Sequence, residues 1–274
     1  MYFCNVMKIQ YASDLHLEFY ENSKYLRDNP IKPVGDILVL AGDIELLNRD
    51  HFFNNSFWNY VSDNFKEVIV VAGNHEFYNG YDLEISGKSK ICSVRNNVGY
   101  YYNAVFEIEN VRLIVSPLWS LISMEQAGYV KRGVVDFHRI LLNGSKLSVE
   151  DFNREHERCL NFIKAEVDNS KSTCEVSASA KTSLIKTVVA THHVPSFQLS
   201  SPDFAGSLID SAFTVDLDSF IEASNIDFWI YGHSHRNIDK VIGNTKCVSN
   251  QLGYVYFDEH LHFDNSKVID ASLG

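Results

Sequence analysis

Glu67-Val68-Ile69-Val70-Val71-Ala72-Gly73-Asn74-His75-Glu76 is the stretch on which the fold turns. Six residues of almost continuous apolar, β-branched character run into a glycine and then into three polar side chains. A short apolar run bounded by a turn residue reads as a strand buried on both faces. The glycine lets the backbone turn sharply where the strand ends. Two more runs repeat the pattern: Ile37–Ala41 breaks at Gly42-Asp43, and Lys186–Thr191 at His192-His193. Lys8–Ser13 ends at Asp14-Leu15-His16, and Asp227–Tyr231 at Gly232-His233-Ser234-His235. Five strands thus end in residues that can bind metal.

Between these strands, roughly 49–64, 80–95, 148–168 and 215–224 have helical character, and strands alternating with helices predict an α/β layered fold. Val105–Ile108 and Val111–Ser116 around Glu109-Asn110 predict a hairpin. Thr245–Ser249, Gly253–Phe257 and His260–Phe263 read as antiparallel closing strands. Residues 169–183 are Ser-rich and lack aromatics, which predicts an exposed loop. It is not a domain boundary, because candidate ligands on both sides of it must converge, and residues 1–274 are read as a single domain. Residues 117–145 follow a strand, and their length and mixed character make them a candidate lid.

The 274 residues carry a formal net charge of −11 and are 45% hydrophobic, ordinary for a globular chain. An acidic surface argues against non-specific binding to nucleic acid or to an anionic membrane. Five scattered cysteines form no C-x-x-C pair, which indicates neither a disulfide framework nor a thiolate zinc site and points to a reducing, cytoplasmic setting. No apolar run reaches membrane length, and Met1–Met7 is too short and too uncharged for a signal peptide. Residues 1–6 precede the first strand and are expected to be dispensable.

Residues two apart in a strand share a face, so Asp14 with His16, and His233 with His235, can each present two ligands to one small volume. Asp43 and Asn74 follow their glycines directly, and strand carboxyl ends are where open α/β sheets bind ligands. Imidazole, carboxylate and one amide without thiolate suit Mn²⁺, Fe²⁺ or Zn²⁺ better than Ca²⁺. A shared aspartate would hold two such ions about 3.5–4 Å apart, the spacing of two-metal phosphoryl-transfer sites. Single histidines are weak signals. Six of the eleven falling in these motifs, in order, are not.

The ordered blocks Asp14-x-His16, Gly42-Asp43, Gly73-Asn74-His75-Glu76, His192 and Gly232-His233-x-His235 resemble the calcineurin-like metallophosphoesterases, over about residues 8 to 236. The resemblance implies a four-layer α-β-β-α sandwich of two mixed sheets flanked by helices. It implies that Asp14, His16, Asp43 and His235 hold one divalent ion and that Asp43, Asn74, His192 and His233 hold the other, with Asp43 bridging and Mn²⁺ ahead of Fe or Zn. His75 would be the catalytic histidine facing the substrate phosphate. The implied chemistry is hydrolysis of a small phosphomonoester or phosphodiester by metal-bound hydroxide. A nucleotide pyrophosphatase using the same residues is the nearest alternative, and a catalytically silent scaffold is a more distant one, disfavoured because every ligand and His75 are present.

Departures from the family pattern narrow this. Protein Ser/Thr phosphatases carry Asp-Arg-Gly shortly after the bridging aspartate, whereas Ile44-Glu45-Leu46 follows Asp43 here, leaving His75 without its acidic partner unless Glu45 or Asp50 supplies it. Thr191-His192-His193-Val194-Pro195 looks closer to bacterial phosphodiesterase relatives, and Gly-Asn-His-Glu fits small bacterial phosphoesterases. Phe77 and Tyr78 are placed to line the pocket, and Arg132, Arg139 and Tyr129 to grip substrate from the lid. His193 is read as structural, Asp36 as a turn or cap residue, and His51, His156, His260 and His262 as surface or packing residues.

Overall fold

A computed structural model describes residues 7–47, 54–84, 89–176, 185–201 and 206–270. Its strands are β1 (Lys8–Ala12), β2 (Ile37–Ala41), β3 (Glu67–Val71), β4 (Lys90–Arg95), β5 (Val98–Tyr101), β6 (Ala104–Ile108), β7 (Val111–Ser116), β8 (Leu141–Leu142), β9 (Ser145–Lys146), β10 (Lys186–Thr191), β11 (Phe228–Tyr231), β12 (Lys240–Ile242), β13 (Thr245–Ser249) and β14 (Val268–Asp270). Its helices are α1 (Tyr20–Asp28), α2 (Ser56–Asn64), α3 (Ala127–Gly133), α4 (Asp136–Arg139), α5 (Val149–Val176) and α6 (Asp218–Ala223).

The period of two in each strand sorts side chains into layers. Ile37, Val39 and Ala41 of β2, with Ile69 and Val71 of β3, face Leu113, Val115, Val188 and Ile230 of the other sheet. Leu38, Leu40, Val68 and Val70 face the opposite way, onto Leu26 of α1 and Trp58 and Val61 of α2. Ile114, Val189, Trp229 and Tyr231 turn outward onto Ile163 and Val167 of α5 and Ile221 of α6. Helix, sheet, sheet, helix is the four-layer α-β-β-α sandwich. The first sheet runs β14-β1-β2-β3-β5-β4 and the second β12-β13-β11-β10-β7-β6. In each, four central strands are parallel and both edge strands antiparallel. Parallel strands bury both faces, which explains their continuous apolar sequence.

The hairpin forms as expected, with Ile108 paired to Val111 and Glu109 at φ 52° in its turn. Asn55 caps α2, its Oδ1 accepting the Phe57 N–H at 3.0 Å, so the helix starts inside the expected 49–64 segment. Ser148 and Asp151 cap α5 reciprocally.

Three expectations are corrected. The segment 80–95 contains no α-helix among its described residues. Its end is β4, whose pairing with β5 shifts register twice, and those irregularities blur the alternation a strand shows in sequence. The Ser-rich segment is helical as far as Val176, as α5 continues through it, and 177–183 lie outside the described residues. Gly253–Phe257 and His260–Phe263 form 3₁₀ turns at Val255–Phe257 and Glu259–His262. Tyr256, Phe257 and Leu261 stand exposed there instead of alternating against a sheet. The closing strand is β14, antiparallel to β1, while β13 runs parallel to β11 and antiparallel to β12.

Residues 117–145 build α3, α4 and the β8–β9 hairpin. Trp119, Ile122, Val130, Val134, Phe137 and Ile140 form a separate apolar cluster with Ala72, Phe77 and Phe152 at the end of the sheets. The segment is a packed cap over the carboxyl ends of the strands.

Candidate metal centre

All seven expected ligand residues meet where β1, β2 and β3 of one sheet and β10 and β11 of the other end. Five of them, Asp14 (φ 55°), His16 (46°), Asp43 (55°), His233 (75°) and His235 (49°), hold left-handed backbone. Non-glycine residues avoid that region, and such strain concentrates at functional sites. The glycines make room for this convergence. A Cβ on Gly42, at φ 89°, would lie 2.3 Å from His192 Nδ1, and one on Gly73 would lie 2.3 Å from Asp43 Oδ1.

Two groups of potential ligands, Asp14–His16–His235 and Asp43–His192–His233, each hold their donor atoms within 4.8 Å of one another. Asp43 joins them, its Oδ1 3.3 Å from His192 Nε2 and its Oδ2 3.9 Å from His16 Nε2. Asn74 Oδ1 is 2.9 Å from His192 Nε2.

The surroundings fix which nitrogen of each ring faces inward. His16 Nδ1 lies 3.1 Å from Glu18 Oε1, His235 Nδ1 2.6 Å from Glu259 Oε2 and His192 Nδ1 3.0 Å from the Ala41 carbonyl. Each outer partner can only accept, so Nδ1 carries a proton and Nε2 is the nitrogen turned to the centre, where a metal would displace its proton. His16 Nε2 and His235 Nε2 then face each other 3.0 Å apart, so without a cation one of them carries a second ring proton. A cation between them would take the place of that proton. The charges agree: burial lowers the His235 pKa, yet Asp14 and Glu259 push it up to about 10, and Asp43 pushes buried His192 up to about 9. Asp14 and Asp43 are held below the usual carboxylate range by these imidazoles despite burial. The centre demands positive charge, and its donors fit a pair of divalent ions.

His75 lies beside this centre, its Nε2 3.9 Å from Asp43 Oδ2. Its acidic partner is Glu18, whose Oε1 is 3.0 Å from His75 Nδ1. Burial works against protonation of His75, but Asp43 and Glu18 together raise its pKa. Glu45 does not serve: its Oε2 accepts from Trp58 Nε1 at 2.6 Å, and Asp50 lies outside the described residues. Glu76 is fully buried and receives the N–H groups of Asp43, Ile44 and Gly73, tying the β2 and β3 loops together. Burial and the Asp43 carboxylate push its pKa up to about 8, against the pull of those amides.

A cavity of about 460 Å³ opens over the centre, lined by Asp43, Asn74, His75, His233 and His235 on its floor. Tyr78 and Arg139 line its wall, with Arg139 5.7 Å over the Tyr78 ring. Val134, Val135, Ile209, Phe213 and Phe19 supply apolar surface, and Tyr254 an aromatic edge. Three expected pocket residues, Phe77, Arg132 and Tyr129, are not among its lining. Phe77 is wholly buried against Trp119 and Tyr102, because its 3₁₀ turn sends both Glu76 and Phe77 inward. Arg132 packs over Tyr129 on the outer side of α3. His193 is buried between Trp119 and His233 with its pKa driven well down by burial, and His156 bonds the Leu118 and Trp119 carbonyls. Asp36 accepts from the Lys8 N–H and Lys66 Nζ. His51 lies outside the described residues.

Sequence reasoning missed Glu18, Glu76, Asp136 and Glu259. Glu18 had a signal, since Asp14-x-His16-x-Glu18 continues the two-residue alternation. Asp136 and Glu259 come from the cap and a 3₁₀ turn, where no strand end marks them.

Comparison with known proteins bears on the family and the fold. The family model described as calcineurin-like phosphoesterase matches residues 7–237. An uncharacterized protein, L509, of Acanthamoeba polyphaga mimivirus is 27% identical over 297 aligned positions, covering 97% of this chain and 99% of that one. Phosphopantetheinyl hydrolase from Mycobacterium tuberculosis superposes with a TM-score of 0.58 at 16% identity, covering 91% of this chain and 90% of that one. A dimetal phosphatase from Danio rerio superposes at 0.50 with 14% identity, covering 90% and 87%. At such identities the structural likeness speaks to fold.

Proposed function

The chain belongs to the calcineurin-like phosphoesterase family, and from that premise we propose that it is a dinuclear metal-dependent hydrolase of small phosphomonoesters or phosphodiesters. The observation that carries the proposal is the pair of imidazole Nε2 atoms 3.0 Å apart, each ring oriented by a carboxylate at Nδ1, beside two buried aspartates. Asp14, His16, Asp43 and His235 would hold one ion, and Asp43, Asn74, His192 and His233 the other, with Mn²⁺ our first choice and Fe or Zn next. Two divalent ions supply Lewis acidity toward phosphate oxygens and a water made acidic enough to attack near neutral pH. His75 is held by Glu18 at Nδ1, which leaves Nε2 to donate to a phosphate oxygen or the departing alkoxide.

The substrate is a small molecule whose leaving group lies along the apolar wall. Arg139 is the one Lys or Arg among the described lining residues, while Asp136, Asp210 and Glu259 are acidic. That balance favours a single phosphate over a dinucleotide pyrophosphate with its further negative charge. Among the described residues no helix is long and apolar enough to cross a membrane. Cys92, Cys159 and Cys247 are free thiols, in keeping with a cytoplasmic setting.

Manganese-loaded protein assayed on p-nitrophenyl phosphate, its bis ester and a dinucleotide pyrophosphate tests the proposal. Turnover of a mono- or diester is expected. Loaded protein that turns over only the pyrophosphate, or nothing across a broad phosphoester panel, contradicts it.

A further inference from the structure

We propose that Asp136, which belongs to the cap and to neither sheet, is a positioning residue that fixes the amide of Asn74 for the second metal ion. The inference rests on the dinuclear reading of the centre.

An asparagine amide can turn over and exchange its oxygen for its NH₂ group, and only its partners decide which end faces which way. Asn74 Nδ2 lies 2.9 Å from Asp136 Oδ1 and 3.1 Å from Tyr78 Oη. The Tyr78 hydroxyl donates its own hydrogen to the same Asp136 oxygen at 2.5 Å. These three polar groups close a triangle in which no side chain is more than 4% exposed. A carboxylate only accepts, so Asn74 must turn NH₂ toward the cap and Oδ1 toward His192 Nε2, 2.9 Å away. A reversed amide would set oxygen against oxygen in a buried site and lose both hydrogen bonds, a costly arrangement.

A role merely in starting α4 does not account for this. A capping aspartate accepts N–H groups of its own helix, whereas Asp136 Oδ1 is occupied by a strand-end amide 62 residues away in sequence. The same four-residue helix carries Arg139 over the Tyr78 ring, and Tyr78 lies 4.4 Å from the His75 ring. Through one tyrosine the cap is fastened to a metal ligand, to the histidine beside the metals and to the cavity mouth.

Titration of the metal-free protein with Mn²⁺ alone, followed calorimetrically, tests the inference without any substrate. Wild type should bind two equivalents. In Asp136→Ala one site should weaken about 10–100-fold, the usual effect of removing a group that orients a metal ligand, while the other keeps its affinity. Asp136→Asn, whose amide oxygen can still accept from Asn74, should restore much of the loss. Tyr78→Phe, which keeps the ring and the packing, should weaken the same site by less and guards against a failure of Asp136→Ala to fold. Undiminished binding at both sites in Asp136→Ala and Tyr78→Phe overturns the proposal, as does equal weakening of both sites. Because the readout is metal affinity, an enzyme that shows this split but hydrolyses no phosphoester would defeat the functional proposal and leave Asp136 in place.

Discussion

At the scale of the residue, the site is a set of tautomers fixed from outside. Glu18 touches both His16 and His75 through one oxygen, so it orients a ligand and the histidine beside the metals together. Glu18→Gln keeps the shape but offers an amide that no longer favours imidazolium. Turnover should fall further than metal content, as a comparison of kcat with elemental analysis would show, and unchanged kcat would dismiss the role. His75→Ala should keep both metals and lose about 10²–10⁴-fold in kcat, the usual contribution of a positioned proton donor. Gly42→Ala should fail to assemble the centre, since a methyl group there would overlap the His192 ring at a left-handed backbone position. Normal metal uptake by that variant would refute the packing argument. The seven ligand residues were legible because each follows the end of an apolar run, three of those ends being marked by glycine. Glu259 and Asp136 were not, because a carboxylate on a 3₁₀ turn or a four-residue helix looks like any solvated acid until the chain is folded.

Among the elements, buried parallel strands were the easiest to read and the irregular ones the hardest. β2, β3 and β10 are buried on both faces, so their composition alone separates them from helix. β4, an edge strand with two register shifts, shows no such regularity, and α5 overruns its Ser-rich end because the preceding amphipathic turns commit the chain to helix. Two element-level measurements follow. Ser148→Ala removes the reciprocal cap of α5 and should cost about 1 kcal/mol in denaturant unfolding. Tyr102 lies buried between cap and helix, its hydroxyl donating to Glu155 Oε2 and accepting from Trp119 Nε1, both at 2.6 Å. Tyr102→Phe strands that indole N–H, while the carboxylate keeps Arg158 at 2.7 Å, and should cost about 1–3 kcal/mol. A loss too small to resolve would show that the cap is not anchored there.

Over the whole molecule, two sheets of the same plan, each with four parallel strands between antiparallel edges, bring their carboxyl ends to one place. The first sheet supplies Asp14, His16, Asp43 and Asn74, the second His192, His233 and His235, and the cap closes over them. The layered architecture was legible from alternating strands and helices, whereas the cap's contribution to the centre was not, since it depends on contacts between segments far apart in sequence. Because both sheets contribute donors, metal binding and folding are linked: chelation should lower the melting temperature, and added Mn²⁺ should restore it. The central claim is that these donors hold two ions with Asp43 shared between them. Elemental analysis of metal-reconstituted protein tests it most directly, with wild type and Asp43→Asn compared. Two equivalents in wild type and a loss at both sites in the variant are predicted. Fewer than two equivalents under every loading condition, or a variant that loses only one, would contradict it.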